Sequence, residues 1–110
     1  MALLAPQQIG YAGTLPTLSA ATTSDTVAPD DRVFLWYKNT DASTEPISIV
    51  TPTTLNKFGQ DLPNIVVTIA ATTGEEMIGP MVADLADPTT GLITITMASA
   101  AGVTVAAVRV

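Results

Sequence analysis

The chain has 110 residues, enough for one hydrophobic core and too few for two. It carries 10 acidic and 4 basic side chains, a net charge of −6, and it has neither Cys nor His. These counts exclude a disulfide framework, a thiolate nucleophile, a Cys-ligated zinc site and an imidazole base or metal ligand. An acidic chain with so few cations is also a poor phosphate binder, so nucleic acid is not an expected partner.

Charged residues make up only 13%, against roughly 25% in an average soluble domain, and hydrophobic residues 47%. Charge alone cannot cover such a surface, so threonine hydroxyls must take over much of the polar work. Surfaces of this kind suit proteins that pack against other subunits. No apolar run approaches the roughly 18 residues of a membrane-spanning helix, and a membrane is not an expected partner. The opening Met1-Ala2-Leu3-Leu4-Ala5-Pro6 has no basic n-region and meets proline too early for a secretory leader, so synthesis in the cytoplasm is expected.

Residues 1–30 read as an extended N-terminal arm. Pro6, Pro16 and Pro29 prevent a long helix, the apolar residues fall at irregular spacing, and only 15–18 and 24–28 suit short strands. Leu3, Leu4, Ile9, Tyr11, Leu15 and Leu18 need a surface to lie on and are the candidate contact residues.

Residues 31–110 read as the folded domain. Arg32 to Lys38 alternates Val33, Leu35 and Tyr37 with Phe34 and Trp36, which predicts a central strand covered on both faces, with Trp36 in the core. The polar turn 39–44 leads to a strand over 46–51 with Ile47 and Ile49 on one face, and the two strands are expected to form a hairpin. A longer connection holding Leu55, Phe58 and Gly59 follows. Strands are then predicted over 64–70, with Ile65, Val67 and Ile69 inward; over 75–80, stopped by Pro80; over 92–97, with Ile93, Ile95 and Met97 inward; and over 103–110, centred on Val105. The predicted core is Val33, Leu35, Trp36, Ile49, Val67, Ile69, Ile93, Ile95 and Val105. Six short strands with turn signals and no amphipathic helix predict an all-β protein. The expected form is a small antiparallel β-sandwich, Greek-key and Ig-like or jelly-roll-like, with the arm attached.

Candidate chemistry is sparse. Asp30-Asp31, and Asp84 with Asp87, have oxygens that suit a hard cation, but they read first as turn formers. Glu75 and Glu76 are neighbours on a strand and point to opposite faces, so they cannot act as a catalytic pair. A Ser or Thr nucleophile would have only Lys38 and Lys57 as possible bases, and neither lies in a recognisable motif. Trp36 and Tyr37 could stack on a sugar but read first as packing. Arg109 reads either as an ion-pair partner of an acidic loop or as a charge guarding a sheet edge. No enzyme, cofactor or metal site is expected.

Three stretches resemble a known group: Asp31 to Asn39 running on to Ile49-Val50-Thr51-Pro52; Glu76-Met77-Ile78-Gly79-Pro80; and Gly91 to Thr96 followed by Gly102 to Val110. They are similar to small decoration (cement) proteins encoded beside the major capsid protein of tailed bacteriophages, over about 80 residues. The resemblance implies a structural virion protein on the capsid exterior, reached from the host cytoplasm during assembly. It implies the major capsid protein as partner, self-association as a homotrimer, and stabilisation of the shell. On that reading the arm makes the shell contact, and a chain lacking residues 1–20 is expected to fold without binding. Two other roles are compatible with the residues. One is a host-surface glycan-binding module using loops 39–45, 55–62 and 81–90. The other is a head–tail connector or tail component.

Overall fold

Alternation of apolar and hydroxyl side chains builds the sheets. In Ile93-Thr94-Ile95-Thr96-Met97 the three apolar residues are buried and the two threonines half-buried, as a strand with one face on a core requires. The structure, a computed structural model, describes residues 2–52, 58–60 and 63–110. Among them are ten strands: β1 (Ala2–Leu4), β2 (Gln7–Gln8), β3 (Ser19–Ala20), β4 (Ser24–Val27), β5 (Val33–Asn39), β6 (Glu45–Ile49), β7 (Ile65–Ile69), β8 (Gly74–Ile78), β9 (Ile93–Met97) and β10 (Val103–Arg109). A single 3-10 turn, Ala83–Leu85, lies between β8 and β9.

One sheet has the order β1-β4-β9-β6-β7, and the other β2-β10-β5-β8, with β3 also on β10. From β4 onward the chain changes sheet at every connection except β6 to β7. With β1 and β2 set aside, a β4-β9-β6-β7 sheet faces a β3-β10-β5-β8 sheet, which is jelly-roll wiring. The protein is thus an all-β sandwich. The hairpin expected between 32–38 and 46–51 does not form, because β5 and β6 lie in opposite sheets. Each has one buried face, and those faces meet across the core instead of side by side. The fully buried Asn39 fixes the crossing: its Nδ2 donates to the Ser43 and Ala70 carbonyls, and its Oδ1 accepts from the Asp41 N–H.

Val33, Leu35, Ile49, Ile69, Ile93, Ile95 and Val105 are buried as expected, joined by Val27, Tyr37, Ile47 and Met81. Each such aliphatic side chain contributes about 1.5–3 kcal/mol. Val67 is partly buried and packs against the cluster. Trp36 is a correction. It is half-buried on the outer face of its sheet, because β5 buries alternate residues and is covered on one side only. Register sets Trp36 opposite Ala106 and Met77, and Phe34 opposite Val108. Its indole Nε1–H donates to Glu75 Oε1 at 3.2 Å. Gly79 is required next to this face: a Cβ there would lie 2.7 Å from Phe34 Cβ.

Residues 2–30 do not stand apart from the sandwich. β1 pairs in parallel with β4, β2 in parallel with β10, and β3 antiparallel with β10. β4 is a full member of its sheet, and residues 15–18 form no strand. Removing residues 1–20 would therefore strip β4 of β1, and β10 of both β2 and β3, so that deletion is not a clean probe of binding.

Candidate docking surface

The N-terminal segment straddles one open side of the sandwich. Leu4 lies beside Val27 on β4, and three residues later Gln7 lies beside Val108 on β10, so Ala5-Pro6 carries the chain from sheet to sheet. Strand parity then divides the apolar residues. Leu4 points inward and is 9% exposed, as part of the core, while Leu3 points outward and is 64% exposed. Leu4 is thus unavailable for contact with a partner.

Residues 9–18 form a loop whose neck is closed by one side chain. The Gln7 Nε2–H donates to the Thr17 carbonyl at 2.9 Å, and the Thr17 N–H donates back to Gln7 Oε1 at 2.8 Å. Inside the loop the Gly13 N–H donates to the Gly10 carbonyl, and the Gly10 N–H donates to Thr14 Oγ1. Gly13 has φ +90°, a conformation that favours glycine. A compact surface loop with adjoining ends is an Ω-loop. Its tip carries Tyr11 at 113% exposure and Leu15 at 87%. Ile9 is at the margin of exposure, and Leu18, near the neck, is half-buried.

The loop leaves β2 at the end of the sandwich where β10 finishes. A cleft of about 320 Å³ opens there, lined by Gln8, Ile9, Gly10, Tyr11, Arg32 and Val110. Behind it Arg109 is fixed from two sides: its Nε–H donates to Asp30 Oδ2 at 2.9 Å, and its Nη1–H to Gln8 Oε1 at 2.7 Å. Asp30 Oδ1 accepts the Arg32 N–H. The Arg32 backbone donor and the Arg109 guanidinium together hold the Asp30 carboxyl below the usual carboxylate range. Arg109 is therefore an ion-pair partner within its own chain; its strand has neighbours on both sides and is not an edge.

Comparison with protein-family models, curated proteins and solved structures returned no match. The site is therefore read from its own geometry. Asp30 works as a turn acceptor and ion-pair partner, and Asp87 as a turn former whose Oδ1 accepts the Thr89 N–H. Among the described residues no three acidic side chains gather as a cation site would need. Register places Glu75 opposite Lys38 and Glu76 opposite Tyr37, so they occupy different positions. Tyr37 is fully buried and has no face to offer a sugar.

The three loops named for glycan recognition do not converge. Loop 40–44 joins loops 70–73 and 98–102 at one end, where the Thr40 N–H donates to Gly102 and the Thr72 N–H to Asp41. Residues 81–90 follow β8 at the other end. Of loop 55–62, residues 55–57 and 61–62 lie outside the described residues, and Phe58 is exposed.

The sequence marks Tyr11 and Leu15 as apolar residues in need of a surface but gives no sign of the clamp that presents them. A lone Gln7 in an irregular segment gives no signal of a bond ten residues away. Val110, exposed in the cleft wall, read as a strand end.

Proposed function

We propose that this chain is a structural virion protein that decorates the outside of a tailed-phage capsid and docks through loop 9–18. One observation carries the reading: Tyr11 and Leu15 stand exposed on a loop that Gln7 holds shut. A free arm would lose about 1–2 kcal/mol of backbone entropy per residue on ordering. A clamped loop has lost part of that already, so more of the contact energy is left for association. Exposed apolar side chains on a preformed loop suit a protein surface with complementary hollows. The resemblance to decoration proteins supplies the kind of surface, the outer face of the major capsid protein. The net charge of −6 favours that face over the side lined by packaged DNA. Modest affinity per site suffices where a shell repeats the site many times.

The copy number in the virion tests this reading. Decoration requires hundreds of copies per head, and a connector or tail component roughly a dozen. A reconstruction with copies at repeated positions on the outer shell is the expected result. A dozen copies at the tail vertex would replace decoration with the connector role.

A further inference from the structure

The four outer edges of the two sheets are not alike. β1 is three residues long, and β2 and β3 are two each. β8 carries Glu75 and Glu76 and ends at Gly79-Pro80. Short length, charge and proline are the usual guards of a sheet edge. β7 has none of them. It is five residues long, and from Asn64 to Ala71 the chain holds no charge and no proline. Ile65 and Val66 are 44% and 59% exposed. Among the described residues no strand lies on its far side.

Its free hydrogen-bonding groups follow from the register. The Val50 N–H donates to the Thr94 carbonyl on β9, so Ser48 and Val50 face β9, and Ile47 and Ile49 face β7. Their partners Val67 and Ile65 therefore use their main-chain groups on β6. Val66 and Thr68 present both N–H and C=O to the open side.

We propose that this edge is an interface for a second copy of the chain, added antiparallel about a two-fold axis at Val67. That register sets Val66 opposite the partner's Thr68 and satisfies all four free groups at once. It also sets Ile65 opposite the partner's Ile69, so the inward apolar row runs on from copy to copy, and Val67 meets its own mate. Such an isologous contact closes with two chains. The occupant is another copy because the strip is self-complementary: in this register each chain offers Val66 and Thr68 to the same two residues of the other. Residues 64–71 carry no charge, so two chains of charge −6 can meet along this strip without setting carboxylates opposite one another. The contact is two-fold, distinct from the three-fold clustering that the resemblance implies, and it does not depend on the proposed function.

Sedimentation of the full chain across a concentration series tests it. The expected result is a reversible dimer that Val66→Lys and Thr68→Pro each weaken by about tenfold or more, with the far-UV spectrum unchanged. The Val66 side chain is exposed and the Thr68 N–H points away from β6, so neither change removes a bond within the sheet. Val66→Lys keeps the test valid if Thr68→Pro does not fold. A chain that stays monomeric at every concentration would overturn the proposal. So would a trimer, or a dimer indifferent to both substitutions.

Discussion

The Gln7 side chain and the Thr17 backbone hold each other in both directions, amide to carbonyl at 2.9 Å and N–H to amide oxygen at 2.8 Å. Gln7 imitates a short piece of strand and closes a loop that no strand pairing closes. Its own backbone is fixed beside Val108 by β2, so the clamp is mounted on the sheet and not on another loop. Gln7→Ala removes both bonds and leaves β2 in place. Both bonds are exposed, so the stability change should stay near about 1 kcal/mol. The loop should loosen far more than the domain. Chymotrypsin cleavage after Tyr11 is expected to quicken markedly while the melting temperature moves little. Equal cleavage of both proteins would mean that Gln7 does not hold the loop.

Asp30 closes its own turn and ties it to β10 at the end of the sandwich, accepting from the Arg32 N–H and from Arg109. Its carboxyl titrates below the ordinary value of 3.8, chiefly through the Arg32 N–H and then Arg109. A lowered pKa means stability that is complete above 3.8 and disappears as pH falls through the lower native value. Asp30→Asn keeps a turn acceptor and loses the charge. The wild-type chain should therefore melt above the variant at neutral pH, and the gap should close below about pH 3.8. Thermal melts from pH 7 to pH 2 check this. A gap that widens on acidification would reverse the assignment.

Among the described residues Tyr37 is the largest fully buried side chain, and its hydroxyl has no hydrogen-bond partner there. Burial raises its pKa, with the nearby Asp25 adding to the effect. A desolvated hydroxyl without a partner costs about 1–3 kcal/mol. Tyr37→Phe removes the hydroxyl and keeps the ring, so the melting temperature should hold or rise. A fall of more than about 4 °C, equivalent to about 1 kcal/mol, would show that the hydroxyl is satisfied in solution.

Gly102 closes the turn between β9 and β10 with φ +72°. A Cβ there would lie 2.9 Å from the Asp41 backbone nitrogen. The Thr40 N–H and hydroxyl both donate to the Gly102 carbonyl, so the turn cannot move aside without losing them. Gly102→Ala should cost about 1–3 kcal/mol and lower the melting point by several degrees. Calorimetry decides, and an unchanged melting point would contradict the tightness of this loop cluster.

The strands from Val33 onward were legible because a half-buried strand writes its two faces into alternate residues. Ile93 to Met97 shows this most cleanly. The same signal misled at Trp36, since an apolar outward residue looks like an inward one when its neighbours are also apolar. Connectivity was illegible. A polar turn such as 39–44 serves a hairpin or a crossing equally well, and the buried Asn39 that decides between them is one polar letter. The first thirty residues hid their structure for another reason. β1, β2 and β3 are two or three residues long, too short for any period, and are held by strands far along the chain.

Co-sedimentation with undecorated phage capsids tests the proposed docking through loop 9–18 most directly. The variant to compare is the full chain carrying Tyr11→Ser and Leu15→Ser, two exposed positions whose change leaves both sheets intact. Wild-type protein should saturate the capsids, and the double variant, equally folded, should lose most of its occupancy. Wild-type occupancy by the double variant would contradict the account.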